Sequence, residues 1–278
     1  MPMYSIIALD LDGTLTKADK TVSAHTRDTL IKAQQQGMKV VLASGRPTNG
    51  MAFIADELRL ADFGGMVLAY NGGEITDWQT KEVINRVPFP DEAVPVIYRF
   101  AKSKGFAMMT YCGKQIFTEA NGNKYVMQSA FRNRMEIRVV DDFLTATREW
   151  GVLPKCMVVG DPDRLGVFED ELREYAKDME SMRTVDFFRS EPYYLEIVPK
   201  GIDKGACLQL VLDHYGMTRD ALIACGDAYN DMGMIEFAGL GVAMGNAQDC
   251  VKQTADYITD SNEADGVAKV VEKFYFGE

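Results

Sequence analysis

Four times along this chain a short apolar run ends abruptly in a polar or glycine-rich turn. Ile6-Ile7-Ala8-Leu9 runs into Asp10, and Val40-Val41-Leu42-Ala43 into Ser44-Gly45-Arg46-Pro47. Met66-Val67-Leu68-Ala69-Tyr70 ends in Asn71-Gly72-Gly73, and Leu222-Ile223-Ala224-Cys225 in Gly226-Asp227. Runs this short and apolar read as buried strands. Helix patterns separate them: one follows Ser23 as N-cap, carries Leu30, Ile31 and Ala33 and stops at Gly37, and another spans about 48–59. The alternation predicts an α/β fold, a doubly wound Rossmann-like parallel sheet with one working rim at the C-terminal ends of its strands.

From about residue 86 the rhythm changes. Val87-Pro88-Phe89-Pro90 reads as a linker, because prolines this dense suit neither a helix nor a central strand. Short strands at 106–112, 115–118, 155–160 and 183–188 then interleave with helices, one of them marked by Leu165, Phe168, Leu172, Tyr175 and Met179. Residues 86–190 are therefore expected to form an inserted α+β domain, with 1–85 and 191–278 making the core. Tyr194-Leu195-Glu196-Ile197-Val198 is read as the first strand back in the core. A helix opening at Lys204 follows it, and strands at 241–244 and 256–258 come later.

Composition narrows the partners. The 278 residues carry a net charge of −11, a field that disfavours nucleic acid and anionic membranes. A small phosphorylated substrate stays compatible, since a bound cation and a few local bases reverse the sign inside one cleft. The five cysteines (Cys112, Cys156, Cys207, Cys225 and Cys250) are widely spaced without a CxxC pair, and read as reduced packing residues. With no basic-then-apolar leader and no run of membrane-spanning length, the expected location is cytoplasmic. Either a monomer or a homodimer fits.

The rim gathers Asp10, Asp12, Ser44, Asn71, Lys204, Asp227, Asn230 and Asp231. Asp10 and Asp12 stand two apart at a strand end, where alternation points them to one face. Like charges so close require either a proton or a cation. Hard oxygen donors without His or Cys favour Mg²⁺ over zinc. Ser44, Asn71 and Lys204 are the donors that a phosphate needs. Both histidines, His25 and His214, fall inside helix patterns away from the rim. The chemistry indicated is metal-assisted phosphoryl transfer through an aspartate.

Asp10-Leu-Asp12-Gly-Thr-Leu, Ser44-Gly45-Arg46, Lys204 in Lys-Gly-x-x-Lys-Gly, and Gly226-Asp227-x-x-Asn230-Asp231 resemble, in order, the four motifs of the haloacid dehalogenase superfamily. The insert between the second and third motifs resembles the C2 cap of its Cof-type, sugar-phosphatase-like branch. That resemblance implies an Mg²⁺-dependent phosphatase whose cap roofs the site and chooses the substrate. It implies that Asp10 is the nucleophile, and that Asp12 is the general acid/base and lends a backbone carbonyl to the metal. Ser44, Gly45 and Lys204 would bind the phosphoryl group. Asp227, with Asn230 or Asp231, would complete the metal site, and Asn71 would contact phosphate or substrate. Ala228 departs from the pattern, since relatives commonly carry Gly there.

Several positions admit a plainer role. Ser44 and Pro47 suit a helix start. Arg46 either touches substrate or salt-bridges to the sheet. Asp231 either ligates metal or caps a helix beginning at 232. Tyr111, Tyr125, Arg132 and Arg134 either line a substrate pocket or belong to the insert's core and surface. Gly239-Leu-Gly241-Val-Ala-Met-Gly245 flanks a strand with its glycines and reads as structural. Two other activities fit the same rim: a phosphomutase or phosphotransferase, and a non-catalytic phosphate-binding regulator.

Overall fold

The four apolar runs become adjacent strands because each can bury both faces only inside a sheet covered on both sides. The structure, a computed structural model, describes residues 4–278. One sheet has the order Tyr257–Ile258, Leu240–Ala243, Leu222–Gly226, Ile6–Leu9, Lys39–Ala43, Met66–Ala69, Glu74–Asp77, Val83–Arg86. Every pair from Tyr257–Ile258 to Met66–Ala69 is parallel, and Glu74–Asp77 adds antiparallel. The register aligns Leu9 with both Cys225 and Leu42, so the turns after these strands leave the sheet along one edge.

Helices cover both faces. Ile6, Ala8, Val41, Ala43, Leu68 and Ala224 pack with Leu208, Val211 and Leu212 of the helix Lys204–Tyr215. Ile7, Leu9, Val40 and Leu42, on the alternate positions, are equally buried. Each such aliphatic side chain contributes about 1.5–3 kcal/mol. Ser23 caps the helix Ala24–Gln35 as expected, accepting the Thr26 N–H at 3.0 Å, and the chain turns out at Gly37. The two edge strands leave no signal in the sequence. Glu74–Asp77 and Val83–Arg86 are four-residue strands, too short and too mixed in polarity to show a period.

The chain divides into two compact units: residues 1–85 with 202–278, and residues 86–201. The second unit has its own sheet, ordered Val185–Glu191, Tyr194–Pro199, Cys156–Val159, Ala107–Cys112, Gln115–Thr118, Glu136–Val139. Its core packs Leu195, Ile197, Val158 and Phe117 against Ile97, Phe143, Phe168 and Leu172. The expected return to the core at residue 191 is corrected here. Tyr194–Pro199 pairs antiparallel on both sides with strands of the second unit, and the first unit resumes only at Ile202. An apolar five-residue run looks the same whichever sheet buries it. Helix Pro162–Ala176 follows the Leu165, Phe168 and Leu172 stripe, but Ala176 continues it; Tyr175 is exposed and Met179 lies beyond the helix.

All five cysteines are free, four of them buried. Among the described residues no helix is long and apolar enough to cross a membrane.

Candidate active site

Asp10 is the first residue beyond Ile6–Leu9, with its N–H on the Cys225 carbonyl at 3.1 Å and its side chain almost wholly buried. Lys204, the first residue of its helix, sends a fully buried ammonium 2.7 Å from Asp10 Oδ1 and 2.7 Å from Asp231 Oδ1. A helix N-terminus disfavours a cation, and a buried ammonium needs counter-charge. The two carboxylates supply it.

Asp231 does not cap the helix Met232–Phe237, whose first turn receives no side-chain hydrogen bond from it. Its Oδ2 instead turns back to accept the N–H groups of Asp227 and Ala228, both at 2.9 Å. It thereby folds the 226–231 turn around the Lys204 ammonium. Ala228, the departure from the family pattern, keeps its N–H in that network.

Asp227 accepts a hydrogen bond from Thr14 Oγ1 at 2.8 Å. Gly13 makes this approach possible. Its φ is +89°, and a Cβ there would stand 2.4 Å from Asp227 Oδ2, so the turn requires glycine both for conformation and for space.

Oxygens of Asp10, Asp227 and Asp231 all lie within 4.8 Å of one another. Burial first, then the charge of Asp231, pushes the Asp10 carboxyl well above the usual carboxylate range, although Lys204 pulls the other way. Burial likewise pushes Asp227 up to about 6, against the Thr14 hydrogen bond and with the repulsion of Asp231. Burial alone would lower the Lys204 pKa, but Asp10 and Asp231 outweigh it and hold it above the ordinary value. Crowded carboxylates with too little positive charge, and no His or Cys among them, fit a hard divalent cation such as Mg²⁺.

The Asp12 carboxylate is not part of that cluster. Arg46 grips it through Nε at 2.7 Å and Nη2 at 2.6 Å, and Lys20 Nζ reaches its Oδ1 at 2.7 Å. The crowding expected between Asp10 and Asp12 is instead between Asp10 and the carboxylates of Asp231 and Asp227, and there a proton or a cation is still called for. Asp10 and Asp12 each have their own basic partner, Lys204 for Asp10, and Arg46 with Lys20 for Asp12. Burial raises the Asp12 pKa, but the hydrogen bonds and charge of Arg46 and Lys20 prevail and hold it at about 2. Arg46 also donates through Nη1 to the Gly50 carbonyl, at 3.4 Å.

Ser44 and Asn71 are joined through the backbone. The Asn71 N–H donates to the Ser44 carbonyl at 2.9 Å, and the Arg46 carbonyl accepts the Tyr70 N–H at 3.1 Å. Ser44 Oγ accepts the Arg46 N–H at 3.2 Å, while the helix Thr48–Glu57 has Pro47 at its N-cap and no side-chain cap. A Cβ on Gly45 would meet the Asn71 amide at 3.2 Å. Asn71 itself has φ +57°, following Tyr70 at +55°, a strained pair of a kind that concentrates at functional sites. Asn230 Nδ2 donates to Asn71 Oδ1 at 3.1 Å, linking the third and fourth rim turns.

Other side chains have local partners of their own. His25 pairs with Glu272 at 3.0 Å and His214 lies 3.9 Å from Asp77. In the second unit Tyr111 bonds Ser129, Arg132 pairs with Glu191, and Tyr125 stacks on Tyr193. Lys20 and Thr14 join the site although the rim pattern does not include them. Lys20 has no signal of its own, whereas Thr14 stands inside the Asp-x-Asp-Gly-Thr turn.

A carboxylate cluster around one buried amine thus stands at the C-terminal edge of a doubly wound sheet. The family profile of haloacid dehalogenase-like hydrolases matches residues 7–271. The chain belongs to that family and is an enzyme of the phosphatase type. It is 30% identical to the putative phosphatase YxeH of Bacillus subtilis, covering 97% of each chain. It is also 30% identical to the 5-amino-6-(5-phospho-D-ribitylamino)uracil phosphatase YcsE of that organism, over 96% of this chain and 94% of the relative. A crystal structure of a haloacid dehalogenase-like hydrolase from Bacteroides thetaiotaomicron superposes with a TM-score of 0.92 at 49% identity, covering 98% of this chain and all of the other.

Proposed function

We propose that this chain is an Mg²⁺-dependent phosphatase of small phosphorylated metabolites, sugar phosphates foremost, working through a phosphoryl group carried on Asp10. The observation that supports this best is the division of labour between the two oxygens of Asp10. Lys204 occupies Oδ1, and among the described residues no other group hydrogen bonds to the carboxylate, which leaves Oδ2 for phosphorus. A relative named for a phosphoribityl substrate supports the sugar-phosphate class.

Asp10, Asp227 and Asp231 would hold the metal, with the Asp12 carbonyl, and its charge would offset that of the transferring phosphoryl oxygens. Lys204 fixes Asp10 for attack and adds positive charge beside it. Ser44, Gly45 and Asn71 present donors to the phosphate. Oδ2 forms a bond to phosphorus as the ester oxygen leaves, taking a proton from Asp12. Water then attacks phosphorus, Asp12 accepts its proton, and Asp10 is released as a carboxylate. Phosphate esters hydrolyse so slowly unaided that accelerations of ~10²¹ are known, which requires these effects to act together.

Arg46 and Lys20 keep Asp12 ionised, the form that the second displacement uses. For the first, the pairs with Arg46 and Lys20 must open and Asp12 must take up a proton from solvent, which it then gives to the leaving oxygen; a phosphate dianion is a competing partner suited to the guanidinium. The unit at 86–201 has the role of selecting the substrate. The test is phosphate release from a panel of phosphorylated sugars, nucleotides and cofactors. Release that needs Mg²⁺, stops with chelator and is abolished by Asp10→Asn is expected. Isomeric sugar phosphate without free phosphate would mean a mutase, and no turnover on any ester would mean a binding protein.

A further inference from the structure

Gly13, Thr16 and Ala18, in the loop that carries the chain away from Asp10 and Asp12, are tied down by side chains from the far end of the sequence. Asn246 Nδ2 donates to the Gly13 carbonyl at 2.8 Å. Asn262 Nδ2 donates to the Thr16 carbonyl at 2.9 Å, and Glu263 Oε1 accepts the Ala18 N–H at 2.7 Å. The two amides are themselves linked, since Asn246 Oδ1 accepts the Asn262 N–H at 3.1 Å. Further along, the Asp265 carboxylate takes the hydroxyls of Ser23 and Thr26, at the start of the next helix.

The turn bearing Asn246 is also bonded to the other acidic loop. The Gln248 N–H donates to the Asp227 carbonyl at 3.0 Å, and the Met244 N–H to the Gly226 carbonyl at 3.0 Å. Asn246 thus stands between the loop of Asp10 and the loop of Asp227, with its amide on the one residue whose missing Cβ admits the Asp227 carboxylate. A displacement of Gly13 changes the spacing between Asp10 and Asp227 directly.

We infer that Asn246 is a positioning residue for the metal-holding carboxylates, with Asn262 as its brace. Through its contacts with Gly13 and Asn262 it sets the separation of the two loops that supply the oxygens. This rests on the reading of Asp10 and Asp227 as metal ligands. Groups that orient metal ligands are typically worth about 10–100-fold in metal affinity or activity.

The experiment is calorimetric titration of Mg²⁺ into wild type, Asn246→Ala and Asn262→Ser, alongside kinetics at varied Mg²⁺. About a tenfold or greater loss of Mg²⁺ affinity is expected for Asn246→Ala, with kcat recovering at high Mg²⁺ and KM for the ester held within about twofold. Asn262→Ser should move the same way by less. An Asn246→Ala protein that folds and binds Mg²⁺ like wild type overturns the inference. Should that variant not fold, Asn262→Ser decides, and unchanged Mg²⁺ affinity there overturns it. Absence of Mg²⁺ binding by wild type would instead remove the metal reading on which the inference stands.

Discussion

Arg46 holds Asp12 by both carboxylate oxygens, at 2.7 and 2.6 Å, while Asp10, two residues earlier, is held by Lys204 on one oxygen alone. The difference sorts the two acids. The residue gripped twice is restrained and kept ionised; the residue gripped once keeps a free oxygen. Replacing Arg46 by Ala leaves Asp12 held by the exposed Lys20 alone, and kcat should fall about 10²-fold, the usual cost of misplacing a reacting group by an ångström. The pair also carries a pH signature. The folded pKa of Asp12, about 2, lies below the ordinary 3.8, so the pair stabilises the fold above the ordinary value and is lost as pH falls through about 2. Urea unfolding of wild type and Arg46→Ala should therefore show a gap at neutral pH that closes toward about pH 2. A gap that does not change with pH would exclude this pair as its source.

Lys204 is buried between two carboxylates, and removing it strands both. Lys204→Met should cost about 3–5 kcal/mol of stability, the range for breaking a buried ion pair from one side. Saturating Mg²⁺ should recover part of that loss, because a cation in the cluster supplies the missing charge. Denaturation with and without Mg²⁺ measures both effects; equal loss in the two conditions would place the metal elsewhere.

Without a cation, burial and the neighbouring carboxylates hold Asp10 and Asp227 above their ordinary values. Raised carboxyl pKa values mean that the folded state binds more protons than the unfolded chain. The metal-free protein should then lose stability as pH rises from the ordinary carboxylate range toward neutrality. Mg²⁺ should flatten that slope, and its binding near about pH 6 should release protons that calorimetry in two buffers detects. A metal-free melting temperature independent of pH across this window would contradict the arrangement.

Gly13 combines a left-handed φ with a contact that no Cβ tolerates. Gly13→Ala should cost about 1–2 kcal/mol from conformation alone, and it should also push Asp227 out of the cluster. Mg²⁺ affinity ought to drop further than the stability loss explains, which titration of the folded variant tests.

Much of the core was legible because parallel strands buried on both faces leave apolar runs that stop where the sheet stops. Ile6–Leu9 and Leu222–Gly226 announced both themselves and the rim beyond them. Tyr194–Pro199 misled for the same reason, since burial marks a strand without naming its sheet. At the site, residue types at strand ends pointed to Asp10 and Asp227 and a lysine at a helix start to Lys204, but not to who pairs with whom. That Arg46 and Lys20 converge on Asp12, or that Asn246 reaches Gly13, depends on loops whose course carries no periodic signal.

The central claim, that Asp10 carries the phosphoryl group, is tested most directly by acid-quenching the enzyme during turnover and mapping the phosphorylated peptide by mass spectrometry. Asp12→Asn makes the test sharper, because loss of the base, worth about 10²–10⁴-fold, slows release of the group. A phosphoryl adduct on Asp10 that builds up in Asp12→Asn and is absent in Asp10→Asn is the expected result. Turnover without any adduct on Asp10, or an adduct on another residue, would contradict it.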